Sequence, residues 1–309
     1  MNYFNLFRFL LLFFLVFNVG CAGTTTAAKY KSSSGFDWTP LIDKLAADGL
    51  DKNYLSQIYN NTKVIFNPRV MPKKITHEEK KLNYAQFLED SRINRGRNFI
   101  KINNSLMAEV ENAYGVPKEI QAAILLVETG FGDFVGSDLA INILSSMAMS
   151  SNMEQVRPYL PQEYVIDSNV TEKVTKKSQW AYNELKSFIQ YASDNNIDPI
   201  GVKGSIFGAI GICQFMPSNI LKFGVDYNKD NKIDLFILDD ALASMSNYLV
   251  HYGWKPGISR EQQEKVIMKY NPSRPYTDTI LAVAHKLGWK GYIPDYGPLS
   301  SRDLSVFEK

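Results

Sequence analysis

A chain of 309 residues with 45% hydrophobic and 21% charged residues holds enough apolar material for one large domain or two ordinary ones, which excludes a wholly disordered protein. Its formal charge of +2 comes from 34 basic and 32 acidic residues interspersed along the chain, so no basic stripe argues for nucleic acid and none is expected as a partner. There are 2 cysteines, Cys21 and Cys213; Cys213, between Ile212 and Gln214, reads as a small buried residue.

Residues 1–20 combine a start carrying Arg8, an apolar stretch from Phe9 to Phe17 and a small Gly20 before Cys21, which is the pattern of a lipoprotein signal peptide. Asn18 stands three residues before the cysteine, where such signals carry an apolar side chain. The stretch is shorter than the roughly 20 residues that span a bilayer, so cleavage and lipidation of Cys21 are expected. Ala22 lacks the acidic character that retains such proteins at the inner membrane. The expected location is therefore the periplasmic side, lipid-anchored, with the outer membrane favoured over the inner. Residues 21–35, rich in Thr, Ala, Ser and Gly, read as a flexible tether.

Folding is expected from Phe36. Helical patterns occur at about 40–48 and 51–62, and Thr76 with Glu79 forms a capping box for a helix opening near 77. Further patterns lie at about 117–129, 137–150, 171–195, 217–224, 239–252, 259–270 and 277–287. No strand run or fixed-period repeat is visible, so the class is mainly α. An N-terminal helical lobe at 36–113, a second unit at 114–290 and a tail at 291–309 are expected.

The 117–129 helix carries the most informative residue. Pro117 suits its start, and Gly130 and Gly132 its exit. Ile120, Ala123, Ile124 and Val127 draw the apolar stripe, and Glu128 falls at its edge. Partial burial and the negative end of the helix dipole both disfavour a charged carboxylate, so a raised pKa and a proton-donating role are expected. The local candidates for a second carboxylate, Asp133 and Asp138, lie in a loop-like stretch with no helical register to Glu128.

Gly204-Ser-Ile-Phe-Gly-Ala-Ile-Gly-Ile-Cys-Gln-Phe-Met-Pro217 would let backbone approach a ligand, with Ser205 and Gln214 as hydrogen-bonding groups; close helix packing is the alternative. It lacks the Lys-Ser/Thr ending of a phosphate loop. Between Asp226 and Asp234, Asp226, Asn228, Asp230, the Lys232 carbonyl and Asp234 follow EF-hand spacing, with Asn231 at the usual glycine and Ile237 at the position of the bidentate acid. A structural calcium is expected there, or else a solvated Asp/Asn turn. His77, His251 and His285 show no zinc spacing, and no nucleophile elbow exists.

Together, Glu128-Thr129, the Gly204–Pro217 segment, Tyr114-Gly-Val-Pro117, Asn247-Tyr248, His251-Tyr-Gly-Trp254, Tyr270-Asn271 and Tyr276 resemble the lytic murein transglycosylase B family. The resemblance implies a lysozyme-like catalytic core at 114–290 with an insertion near 150–180, and a similar EF-hand-like loop. It implies cleavage of the β-1,4 bond between N-acetylmuramic acid and N-acetylglucosamine in peptidoglycan, leaving 1,6-anhydro ends. Glu128 would be the single acid and base, with no cofactor required for chemistry. Ser205, Gln214, Tyr248, Tyr270, Asn271 and Tyr276, with Tyr84 from the N-terminal lobe, would line the glycan groove. Expected partners are peptidoglycan strands, the membrane through lipidated Cys21, and cell-wall assembly proteins. A muramidase-type hydrolase and a non-catalytic peptidoglycan-binding scaffold are the alternatives.

Overall fold

Local chemistry fixes the helix ends of this computed structural model, which describes residues 35–78 and 83–291. The signal, lipidation and most of the tether, together with Glu79 and the tail from 292, lie outside the described residues. α1 (Thr39–Ala47) carries Pro40 in its first turn, and the Asp51 carboxylate accepts the Tyr54 N–H at 2.6 Å to open α2 (Lys52–Tyr59). α3 (Val70–Thr76) ends where the capping pattern put a start. Thr76 Oγ1 donates back to the Pro72 carbonyl at 3.0 Å and His77 turns extended, so the expected helix opening near 77 is corrected.

A 3₁₀ turn at Tyr84–Leu88 leads into α4 (Asp90–Ile102) and α5 (Asn104–Tyr114), two helices that the apolar pattern did not announce. α4 is rich in Arg and Asn and carries Gly96 in its interior. A Cβ there would meet Leu287 Cδ2 at 2.7 Å, so the glycine is where a second helix comes close. Tertiary packing overrides weak local propensity in α4.

α6 (Lys118–Thr129) follows, then β1 (Asp138–Leu139), α7 (Ala140–Met149), α8 (Met153–Val156), a 3₁₀ turn at Arg157–Tyr159 and α9 (Gln162–Val165). The long α10 (Val170–Asp194) leads to β2 (Lys203–Gly204), α11 (Pro217–Phe223), α12 (Leu238–His251), α13 (Arg260–Tyr270) and α14 (Arg274–Leu287). The fold is mainly helical, as the sequence pattern predicts. The one sheet among the described residues pairs β1 with β2 antiparallel, Asp138 opposite Gly204 and Leu139 opposite Lys203. That pairing takes residues 138 and 139 out of the helix expected from 137.

α6 packs against α14 and α4, while α10 lies along α7 and α11, and α12 along α5. Every residue of α6 from Ile120 to Leu126 is buried, Gln121 included, so this helix is enclosed on all sides, beyond the single stripe read from its period. Gln121 Nε2 is satisfied by the Val116 carbonyl at 2.8 Å. One hydrophobic cluster runs from Trp38 to Trp289. Among the described residues, no helix is long and apolar enough to cross a membrane.

Candidate active site

Glu128 sits one residue before the end of α6, half-buried at the edge of the core as its register predicts. Gly130 enters the left-handed region at φ +58°, its N–H bonds the Leu126 carbonyl, and the Phe131 N–H bonds the Leu125 carbonyl at 3.0 Å. The chain therefore leaves the helix immediately after the carboxylate. Oε1 of Glu128 accepts the hydroxyl of Tyr276, from the first turn of α14, at 2.6 Å. That turn is set by Ser273, whose Oγ accepts the Tyr276 N–H at 3.3 Å.

The exit loop is tied on two sides. Thr129 Oγ1 donates to the Ile212 carbonyl at 2.8 Å and accepts the Gly132 N–H at 2.9 Å, joining α6 to the glycine-rich segment. Arg95 of α4 donates to the Gly130 carbonyl at 2.6 Å and pairs with Asp133 at 2.6 Å. Asp133 is thereby engaged by a guanidinium, and Asp138 lies exposed on β1. Sequence reasoning missed Arg95, because α4 has no apolar signature. Arg157 lies exposed in its 3₁₀ turn.

The glycine-rich segment begins in β2 and folds back on itself through bridges Gly204–Ile210 and Ile210–Phe215. Its close approach to the exit loop needs glycine: a Cβ on Gly136, at φ +111°, would lie 1.8 Å from the Gly204 carbonyl oxygen. Ser205 Oγ accepts the Phe207 and Ala209 N–H groups at 3.3 and 3.1 Å, which closes the turn. Gln214 adopts φ +52° and donates its amide to the Gly211 carbonyl at 2.9 Å. Both are half-buried.

A tyrosine stack backs the carboxylate. The Tyr270 and Tyr276 rings lie parallel, 6.5 Å apart, and Tyr248 meets Tyr270 edge-on at 5.2 Å. The Tyr270 hydroxyl donates to the Cys213 carbonyl at 2.5 Å, and the Tyr248 hydroxyl to the Lys269 carbonyl at 2.5 Å. Burial pushes both phenols well above their ordinary range, and for Tyr270 the negative charges of Cys213 and Glu128 add to it. Burial likewise pushes the Cys213 thiol up to about 12, with the Glu128 charge as the next contribution.

The expected groove residues therefore separate. Tyr276 reaches Glu128, and Tyr270 and Asn271 are half-buried beside it at the end of α13. Tyr248 is 4% exposed, its hydroxyl donates to a backbone carbonyl, and its ring meets Tyr270 edge-on. Tyr84 is also buried, edge-on to Tyr276 with ring centroids 6.3 Å apart, and backs that ring.

The 226–234 loop keeps its turn, with Asn231 at φ +67° in the place of the usual glycine. Its oxygens bond backbone: Asp226 accepts the Asp230 and Asn231 N–H groups at 3.1 and 2.9 Å, and Asp230 accepts that of Lys232 at 2.9 Å. Asp240, fully buried at the start of α12, accepts the Tyr227 and Asp234 N–H groups, both at 2.8 Å. Among the described residues, no three His, Cys, Asp or Glu side chains converge in a set that fits a metal ion.

The fold is mainly helical and presents a half-buried carboxylate at a helix end, hydroxyl-bonded from a second helix and flanked by a glycine-rich segment. Residues 36–263 match the transglycosylase SLT domain family, and the chain belongs to it. The membrane-bound lytic murein transglycosylase B of Escherichia coli is 31% identical over 144 residues, which is 47% of this chain and 34% of that protein. The match thus spans about a third of that relative's length. The E. coli lytic transglycosylase Slt35 in complex with calcium superposes with a TM-score of 0.66 at 19% identity, over 85% of this chain and 97% of that one. SltB3 of Pseudomonas aeruginosa in complex with NAG-anhNAM-pentapeptide gives 0.66 at 18% identity, over 84% and 81%.

Proposed function

We propose that this chain is a lytic transglycosylase of peptidoglycan, with Glu128 as its single acid and base. The bond from Tyr276 to Glu128 Oε1 carries the reading, since it fixes the rotation of a carboxylate that emerges from an enclosed helix beside the glycine-rich turn. In the reaction, the Glu128 carboxyl protonates the glycosidic oxygen and the bond to the muramic C1 breaks. The carboxylate then takes the proton of the muramic C6 hydroxyl as that oxygen closes on C1. The ring closure consumes no water, so no second carboxylate is required. The substrate's own N-acetyl group steadies the positive charge at C1, and Ser205, Gln214, Tyr270 and Asn271 orient the sugars.

The N-terminal pattern supports a lipid anchor at Cys21, consistent with the membrane-bound relative, and an outer-membrane position. A structural calcium at 226–234 would need Asp226, Asp230 and Asp234 to turn oxygens inward from their amide partners. No step of the reaction depends on it. A rise in Tm on adding calcium to chelator-treated protein supports that site; an unchanged Tm leaves the loop held by its own side-chain-to-backbone bonds and by Asp240.

Digestion of purified sacculi with product masses tests the reaction. Anhydro-ended muropeptides are expected, and Glu128→Gln should abolish them while leaving the Tm unchanged within a few degrees. Reducing ends point to a hydrolase, and binding without product to a scaffold.

A further inference from the structure

A groove of about 450 Å³ runs between α3 and the turn at 157–161, on the side of α3 away from the glycine-rich segment. Its walls include Arg69, at the N-cap of α3, with Lys73 and Thr76 from that helix, and Tyr159, Leu160 and Pro161 from the stretch expected as an insertion. The spacing 69, 73, 76 puts the first three on one helix face. The Arg69 guanidinium lies 5.5 Å from the Tyr159 ring centroid, and Tyr159 is 40% exposed. Neither Arg69 nor Lys73 forms an ion pair among the described residues, and no acidic side chain lines the groove. Two exposed cations beside an apolar floor complement a short peptide that carries carboxylates.

The other face of α3 connects this groove to the candidate active site. Lys74 lies 3.8 Å from the Phe207 ring centroid and 4.7 Å from that of Trp180, and His77 meets Phe207 edge-on at 5.0 Å. Phe207 belongs to the turn closed by Ser205. The groove and the glycine-rich turn are therefore separated by about one helix diameter, roughly 10 Å. A glycan strand lying against that turn projects its peptide branches over that distance.

We propose that the Arg69–Lys73–Tyr159 groove binds the carboxylates of peptide stems carried by the glycan strand, so that the insertion selects peptide-bearing strands. The inference rests on the reaction proposed above. Its test uses intact protein on two substrates, peptide-bearing strands and the same strands stripped of peptide by an amidase. Arg69→Glu/Lys73→Glu should raise KM roughly tenfold on peptide-bearing strands. It should leave kcat unchanged there and leave both constants unchanged on stripped strands. Tyr159→Ala should weaken in the same direction by a smaller factor.

Calorimetric titration of the Glu128→Gln protein with the free stem peptide, with and without the charge reversal, reads the groove independently of turnover. If the parent protein cuts neither substrate yet binds the peptide through Arg69 and Lys73, the reaction fails and the groove stands. Equal KM changes on both substrates, or peptide binding indifferent to the charge reversal, overturn the groove. So does charge reversal that releases the protein from anionic phospholipid vesicles while leaving peptide binding intact.

Discussion

Thr129→Val tests the joint between α6 and the glycine-rich segment. The substitution keeps shape and volume at a side chain that is 4% exposed and removes only the hydroxyl. Ile212, 8% exposed, loses the donor at 2.8 Å to its carbonyl, and an unsatisfied buried acceptor costs about 1–3 kcal/mol. The Gly132 N–H, half-buried, loses its acceptor at 2.9 Å but is reached by water, for about 1 kcal/mol. The sum of about 2–4 kcal/mol corresponds to a fall in Tm of roughly 4–8 °C for a chain of this size. Scanning calorimetry with Thr129→Ser as control measures it. The serine variant keeps both bonds and loses one methyl, about 1 kcal/mol. Because the same joint sets the distance between Glu128 and the Ser205 turn, kcat/KM on peptidoglycan should fall further in the valine than in the serine variant. A valine variant with the parent Tm, or one no less active than serine, would show that other contacts hold the two segments together.

Other consequences follow from single groups. For Glu264, burial alone would raise the carboxyl pKa, but the hydrogen bonds and charges of Arg260 and Arg274 outweigh it and hold it below the usual range. A depressed folded-state pKa contributes stability above the ordinary glutamate pKa and loses it as pH falls through the lowered value. Glu264→Gln should therefore lower the Tm at pH 7 and leave it nearly unchanged near pH 3; an equal loss at both pH values would contradict the pairing. Cys213, with its thiol raised to about 12, should resist iodoacetamide at pH 8 in the native protein and react after unfolding, as read by peptide mass mapping. Gly136→Ala places a Cβ 1.8 Å from the Gly204 carbonyl at φ +111°, so soluble yield should collapse; a folded and active variant would mean that β1 and β2 part easily.

The legible parts of the fold are those with a local cause. Helices α6, α10, α12 and α13 agree with the sequence pattern to within a residue or two, because an apolar period with Pro117, Ser259 or a terminal glycine specifies them without reference to distant chain. α4 was illegible because Gly96 and its arginines are explained only by Leu287 and the exit loop, nearly two hundred and about thirty-five residues away. Thr76 misled because its hydroxyl bonds backward to Pro72, a choice that the capping pattern leaves open. Glu128 was readable as the edge of a stripe, but its partner was not: nothing in the α14 sequence says that the Tyr276 hydroxyl, and not that of Tyr270 or Tyr248, reaches it.

The three tyrosines share one residue type and divide three tasks. The Tyr248 hydroxyl holds the last turn of α13 at Lys269, and its ring meets Tyr270 edge-on. Tyr270 in turn spends its hydroxyl on Cys213, inside the glycine-rich segment, and so links α13 to the strand-like turn that carries Ser205. Tyr276 stacks on Tyr270 and donates to the carboxylate. Burial raises the pKa of both the Tyr248 and Tyr270 phenols, so these two bonds persist through neutral pH and the frame behind Glu128 stays fixed there. If Glu128 gives a proton and then takes one, as proposed above, a neighbourhood that does not change charge between the two steps is the arrangement that lets one group do both.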